Sequence, residues 1–172
     1  MRRGSGQHVG HRKEWDTRGV LLDEALAAPD APQPWEWAEI FGNPRPVELE
    51  IGSGKGTFLL ARAAARPEVN LLGVEYARAY CHYAADRVRR AGLTNVRLLR
   101  ADALPVMRRL VPPASLLRLH VYFPDPWPKR RHHKRRLLQP PFVDAARRAL
   151  RLGGQLLIVT DHWGYFGQIR RV

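Results

Sequence analysis

Three features of the sequence predict an α/β fold built on a mostly parallel sheet. From Pro46 onward, short β-prone runs alternate with helical stretches, the signature of strand–helix–strand crossovers. Apolar runs such as Leu156-Leu157-Ile158-Val159 suit strands covered on both faces. Stop signals punctuate the alternation: Gly42-Asn43-Pro44, Pro67, Gly92, Pro112-Pro113 and Gly153-Gly154. A chain of 172 residues holds one such domain with a real core and is too short for two ordinary ones.

The elements follow in order. Residues 47–51 read as a strand running into a Gly-rich turn, and 57–66 as a helix stopped by Pro67. Residues 70–75 form a second strand. Residues 78–91 form a helix with Gly92 just past its end, where a left-handed residue is favoured. A third strand over 96–100, a short helix over 104–110 and a fourth strand over 115–123 come next. Residues 140–151 read as a helix, 155–160 as a fifth strand, and 163–172 as the start of another helix. Upstream, residues 1–14 read as a flexible basic arm. Residues 35–41 make a helical turn or two covering a sheet edge. The expected division is therefore a basic, Pro-rich and partly flexible arm over 1–35 and the domain proper over 36–172.

Charge narrows the function. The net charge is +13, and it is unevenly placed: residues 1–46 carry a net of −1 and residues 47–172 a net of +14. A basic body points to a polyanion, with nucleic acid foremost. Arginine makes up 25 of the 29 cations, which a GC-rich genome would also favour. No run approaches eighteen apolar residues, so no membrane span is expected, and no apolar segment behind Met1-Arg2-Arg3 suggests a secretory signal. A lone cysteine, Cys81, excludes an internal disulfide framework and fits a reducing cytoplasm.

The few acids are informative. Residues 47–172 contain nine, and five fall at or just beyond the C-terminal end of an expected strand: Glu50, Glu75, Asp102, Asp125 and Asp161. In an open parallel sheet, ligands bind outside those ends. Each acid alone is read as well as a cap of the following helix or turn; five in a row favour a site. The turn after the first strand is Glu50-Ile51-Gly52-Ser53-Gly54-Lys55-Gly56-Thr57. It is not a Walker A loop, since Leu49 stands at the first Gly position and Gly56 replaces the Ser/Thr. It is not a dinucleotide fingerprint, whose last Gly is Thr57 here. What remains is a turn whose Gly52 and Gly54 let backbone approach a ligand closely. Glu75, 19 residues after Gly56, is spaced to accept from ribose hydroxyls. Glu50 suits an ammonium group, and Asp102 an exocyclic adenine amine, because a carboxylate only accepts. Ribose, adenine and ammonium describe S-adenosylmethionine better than ATP, whose phosphates these acids would repel.

After the fourth strand comes Tyr122-Phe123-Pro124-Asp125-Pro126-Trp127-Pro128, followed by a cationic run to Arg136. Residues 128–136 hold six cations, two His and no acid. The prolines stiffen the turn and fix an acid beside an aromatic ring, as chemistry on a planar base requires. The cations suit phosphate contacts that position rather than specify. A solvated charge run is the plainer alternative, disfavoured by the location at the ligand edge. Adjacent His132 and His133 without a nearby Cys are poorly spaced as ligands, so no metal is expected.

These motifs resemble the bacterial tRNA (guanine-N7)-methyltransferases over roughly residues 38–165. The matching stretches are Leu49 to Gly56, Leu72-Gly73-Val74-Glu75, Ala101-Asp102-Ala103, Phe123 to Arg136 and Thr160-Asp161. The Pro-Asp-Pro-Trp-Pro-Lys stretch with its basic run is specific to that family. The resemblance implies a Rossmann-like S-adenosylmethionine-dependent methyltransferase fold and methylation of N7 of guanosine 46 in the tRNA variable loop. It implies cofactor contacts by Glu50, Glu75, Asp102 and Asp125, with Gly52 and Gly54 beneath the cofactor. Asp125 is also the implied catalytic position. Lys129 and Asp161, joined by Arg130, Arg135 and Arg136, are the expected substrate contacts. Family members continue past the fifth strand with a helix and two more strands. This sequence stops at Val172, so the expectation is a sheet lacking those last two strands and leaving an exposed edge. Either another chain, a second copy included, covers that edge, or the protein is a shortened relative. A non-catalytic RNA-binding protein that keeps the cofactor fold is the rival reading.

Overall fold

The computed structural model describes residues 15–31 and 34–172. The basic arm expected over residues 1–14 lies outside the described residues. Five strands, β1 (Val47–Ile51), β2 (Asn70–Glu75), β3 (Val96–Arg100), β4 (Leu116–Tyr122) and β5 (Leu150–Val159), form one sheet. Their order is β3-β2-β1-β4-β5, and every neighbouring pair is parallel. The chain runs outward from β1 to β3, then returns across β1 to place β4 and β5 on its other side. That reversal puts the topological switch point at the carboxyl ends of β1 and β4, where open α/β sheets hold ligands.

Helices α1 (Trp37–Phe41), α2 (Thr57–Ala65), α3 (Arg78–Arg90), α4 (Ala103–Pro105), α5 (Pro140–Ala149) and α6 (Trp163–Ile169) complete the chain. One core packs Leu59 and Ala63 of α2 and Cys81, Ala84 and Val88 of α3 against Leu71 and Leu98. The other packs Phe41, Met107, Phe142 and Tyr165 against Val47, Leu49, Val74 and Leu119. β1 shows the reason for two layers: Val47, Leu49 and Ile51 enter the second core, and the alternate residues Glu48 and Glu50 point to the opposite face. Phe142 and Leu49 are fully buried, each stabilising by about 1.5–3 kcal/mol.

One sheet edge is covered. Leu22 donates to the carbonyl of Leu98 at 2.8 Å, and Leu98 donates back to Val20 at 2.9 Å. Val20 is buried, and so is Trp35, whose indole N–H reaches the carbonyl of Leu26. These contacts fall within the stretch assigned above to the N-terminal arm. The other edge is β5, where Leu152 is fully exposed and Val159 is 44% exposed. Cover on both faces, expected from its apolar run, is not found there.

Two of the departures from the expected boundaries have a structural cause. The helix over 140–151 ends at Ala149, and Leu150 already belongs to β5. The two glycines read as a helix stop lie inside that strand, where the register jumps from Leu116↔Leu150 to Arg118↔Gln155. A side chain on Gly154 would meet the Arg151 carbonyl oxygen at 2.8 Å and that of Leu116 at 3.0 Å, so only glycine fits this bulge. The helix over 104–110 begins at Ala103 and widens into a π turn over Val106–Leu110. Arg148 Nη2 donates to the carbonyls of Met107 and Val111, both at 2.7 Å, which ties this turn to α5.

Candidate active site

The sheet order brings the five acids to one edge. Glu50, Glu75 and Asp102 stand at or just beyond the ends of β1, β2 and β3, and Asp125 and Asp161 follow β4 and β5. Their environments differ. Glu50 is 4% exposed, and its Oε2 has no hydrogen-bond partner. Burial, reinforced by the charge of Glu75, pushes its carboxyl up to about 8. Glu75 accepts from the Gly54 N–H and from the Ala77 N–H, both at 2.8 Å. It thereby pins the Gly turn to the end of β2. Asp102 is exposed and caps α4 through the Leu104 N–H at 3.0 Å, the cap role weighed from the sequence. Asp125 and Asp161 are exposed.

Gly52 and Gly54 have φ of +74° and +53°; open space lies where a side chain on Gly52 would stand, and one on Gly54 would come no nearer than 3.9 Å to the Gly52 carbonyl oxygen. The left-handed backbone requires glycine there, and the bare turn leaves room for a ligand to lie on it. Gly56 differs: a side chain on it would sit 2.9 Å from Ala84 Cβ, so it serves the packing of α2 on α3.

The Pro-rich loop is strained at both ends of its acid. Phe123 and Trp127 have φ of +50° and +40°, a costly region for non-glycine residues. Trp127 is held edge-on by His132 at 5.8 Å and lies 5.1 Å from the Arg135 guanidinium. The cationic run forms a 3-10 helix over Arg130–Arg135, with Lys129, Arg130 and Arg135 exposed. Arg136, expected among the substrate contacts, turns inward. It is 4% exposed; Nε donates to the Pro126 carbonyl at 2.7 Å and Nη1 to Gln168 Oε1 at 2.6 Å. Its guanidinium lies 4.8 Å from the Tyr165 ring centre. Arg136 therefore braces the loop against α6 rather than meeting phosphate.

The structure also holds a polar cluster that the sequence reading missed. Glu48, fully buried in β1, accepts from Arg62 of α2 at 2.7 and 2.9 Å. His120 Nε2 lies 3.0 Å from Glu48, and its Nδ1 lies 2.9 Å from Tyr122 Oη. Phe58 packs against both rings. Burial alone would raise the Glu48 carboxyl, but hydrogen bonds from His120 and Arg62 outweigh it and hold the group at about 2. The cluster fixes Tyr122 at the root of the Asp125 loop. The signal in the sequence was the Glu-x-Glu alternation within β1, facing His-x-Tyr of β4.

Comparison with known proteins places this arrangement. The family model described as "Putative methyltransferase" matches residues 44–172. The chain belongs to that methyltransferase family. Among curated relatives, the tRNA (guanine-N(7)-)-methyltransferase of Bordetella pertussis is 45% identical over 146 residues, covering 85% of this chain and 58% of the relative. The protein of the same name from Mycobacterium avium is 44% identical over 165 residues, covering 94% and 64%. The chain thus spans about six-tenths of the length of these relatives. Solved structures share the fold at low identity. The precorrin-6y C5,15-methyltransferase of Geobacter metallireducens superimposes with a TM-score of 0.57 at 16% identity, over 73% of this chain and 59% of that one. The antibiotic-resistance methyltransferase Kmr gives 0.52 at 21%, over 73% and 67%. Every acid of the row, the Gly turn and the Pro-rich loop lie inside the part matched by the methyltransferase family. No helix among the described residues is long and apolar enough to cross a membrane.

Proposed function

We propose that the chain transfers a methyl group from S-adenosylmethionine to N7 of guanine in tRNA, at the variable-loop guanosine 46 implied by the family resemblance. Glu50 carries this reading. A buried carboxyl oxygen without a partner is costly, and an ammonium group arriving there would satisfy it and draw Glu50 into its charged form. The other residues fit the same cofactor. Gly52 and Gly54 offer bare backbone. Each Glu75 oxygen has already accepted one N–H and keeps a lone pair for a ribose hydroxyl. Asp102 Oδ1 caps α4, leaving Oδ2 for an exocyclic amine.

Bound there, S-adenosylmethionine supplies a methyl group on a positively charged sulfur. Guanine N7 carries a lone pair and no proton, so no general base is required, and the task of the chain is alignment. Asp125, set on a strained Pro-bounded turn, accepts from the N1–H and N2–H₂ edge and turns N7 inward. Its charge also favours the cationic base that results. Lys129, Arg130 and Arg135 hold flanking phosphates, away from the acids. Acting on tRNA fits a cytoplasmic location.

Incubating the full-length protein with labelled cofactor and unmodified tRNA should yield 7-methylguanosine on nucleoside analysis. Asp125→Ala should slow single-turnover transfer by about a hundredfold and keep S-adenosylhomocysteine affinity within a few-fold. Binding of both ligands with no transfer by the wild type would favour the non-catalytic RNA-binding reading.

A further inference from the structure

The outer end of the carboxyl edge carries a surface that the mechanism above leaves unused. β5 ends at Val159, and α6 begins at Trp163. Trp163 is 85% exposed and Phe166 43% exposed, with ring centres 6.1 Å apart in an edge-to-face pair. With Thr160 and Asp161 they line an open cavity of about 280 Å³. Trp163, Phe166 and Arg170 follow one another at spacings of three and four, which puts them on one helical face. Arg170 is exposed. The opposite face anchors α6: Tyr165 Oη accepts from the Leu138 N–H at 3.0 Å, and Gln168 is gripped by Arg136. The aromatic pair is therefore joined firmly to the loop that carries Asp125 and Lys129.

We propose that Trp163, braced edge-on by Phe166, forms a stacking ledge for one unpaired nucleobase of the RNA, adjacent to the acceptor guanine. Asp161 accepts from an amine on the edge of that base, and Arg170 faces its phosphate. The proposal rests on the RNA reading above and extends it. The chemistry selects a nucleobase: a flat, solvent-facing indole gives stacking to any base, the carboxylate demands a donor edge, and the cation answers a phosphate. The placement selects the neighbour of the acceptor. The Asp125 loop leaves β4 and the ledge leaves β5, and adjacent strands lie about 4.8 Å apart, so two consecutive splayed bases serve the two positions.

The test uses the full-length protein and an RNA hairpin of the acceptor loop, with 2-aminopurine in place of the base next to the acceptor guanine. Stacking should quench its fluorescence on binding to the wild type. Trp163→Ala should lose the quench and bind the RNA about tenfold more weakly. Trp163→Phe should keep the quench and bind within about threefold. Affinity for S-adenosylhomocysteine should be the same in all three. A Trp163→Ala protein that quenches and binds RNA like the wild type overturns the ledge and leaves the proposed function standing. Loss of S-adenosylhomocysteine binding in Trp163→Ala also overturns it, by making the ring a structural element. A wild type that binds S-adenosylhomocysteine but not the RNA overturns both readings.

Discussion

Glu50 is the residue whose chemistry is most exposed to test. Its carboxyl titrates near 8 instead of the ordinary 4.5, so it is neutral at pH 7 in the ligand-free chain. An ammonium partner favours the ionised form, so binding releases a proton at pH below about 8. Affinity for S-adenosylhomocysteine should therefore rise between pH 6 and 8, by at most about tenfold per unit. Calorimetry in buffers of different ionisation enthalpy should count close to one proton released at pH 7. Glu50→Gln should abolish that release, and an unchanged proton count in this variant would remove Glu50 from the site. The same group sets a stability trend. Its pKa is raised on folding, so the folded chain holds a proton that the unfolded chain loses between pH 4.5 and 8. Its contribution thus weakens stability as pH climbs through that window. Arg136 makes a contrasting residue-level case. Arg136→Ala leaves the Pro126 carbonyl and Gln168 without their partner and should cost about 2 kcal/mol in urea unfolding. Arg130→Ala should leave stability within about 0.5 kcal/mol and weaken RNA binding instead.

Among the elements, the β1–β4–α2 cluster and the Pro-rich loop act as a pair, one rigid and the other presented by it. Glu48 is held near 2 against an ordinary 4.5. Its stabilisation is present above pH 4.5 and is lost as pH falls toward 2, an acid-unfolding contribution of about 3 kcal/mol. Glu48→Gln should remove most of that pH dependence and lower stability at pH 7 by a similar amount, read from denaturant titrations. In the loop, neutralising the exposed Lys129, Arg130 and Lys134 together should flatten the slope of log affinity against log salt by about 2. An unchanged slope would mean the loop does not meet phosphate. Much of this was written in the local sequence. β1, β2 and β3 coincide with the expected strands, because each is a short β-prone segment closed by a local signal: the Gly52 turn, the start of α3 at Arg78, and Asp102. Burial of Arg136 was not legible, since six cations in nine residues look alike until a distant helix supplies Gln168 and Tyr165. The Glu48 cluster was hidden for the same reason: Arg62 and His120 lie 14 and 72 residues away in sequence.

At the scale of the whole molecule, the sheet separates two tasks. Its carboxyl edge gathers acids over β1, β2 and β3, and the cations project from the loop after β4. The parallel topology and the position of the acid row followed from the alternation of elements alone. The start of β5 did not, because the helical pattern of α5 continues through Leu150-Arg151-Leu152 and only pairing with β4 pulls those residues into the sheet. The apolar run of β5 did not reveal its half-exposed row, since such a run reads the same at an edge as in the middle; only the family resemblance pointed to an exposed edge beyond the fifth strand. What the account needs above all is that the acid row holds the methyl donor at the β1–β4 switch point. A crystal structure of the protein soaked with S-adenosylhomocysteine tests this most directly. The account predicts the ligand's amino group within hydrogen-bonding distance of Glu50 Oε2, its ribose at Glu75, and its sulfur facing the Asp125 loop. Ligand density at another surface, with Glu50 still lacking a partner, would contradict it.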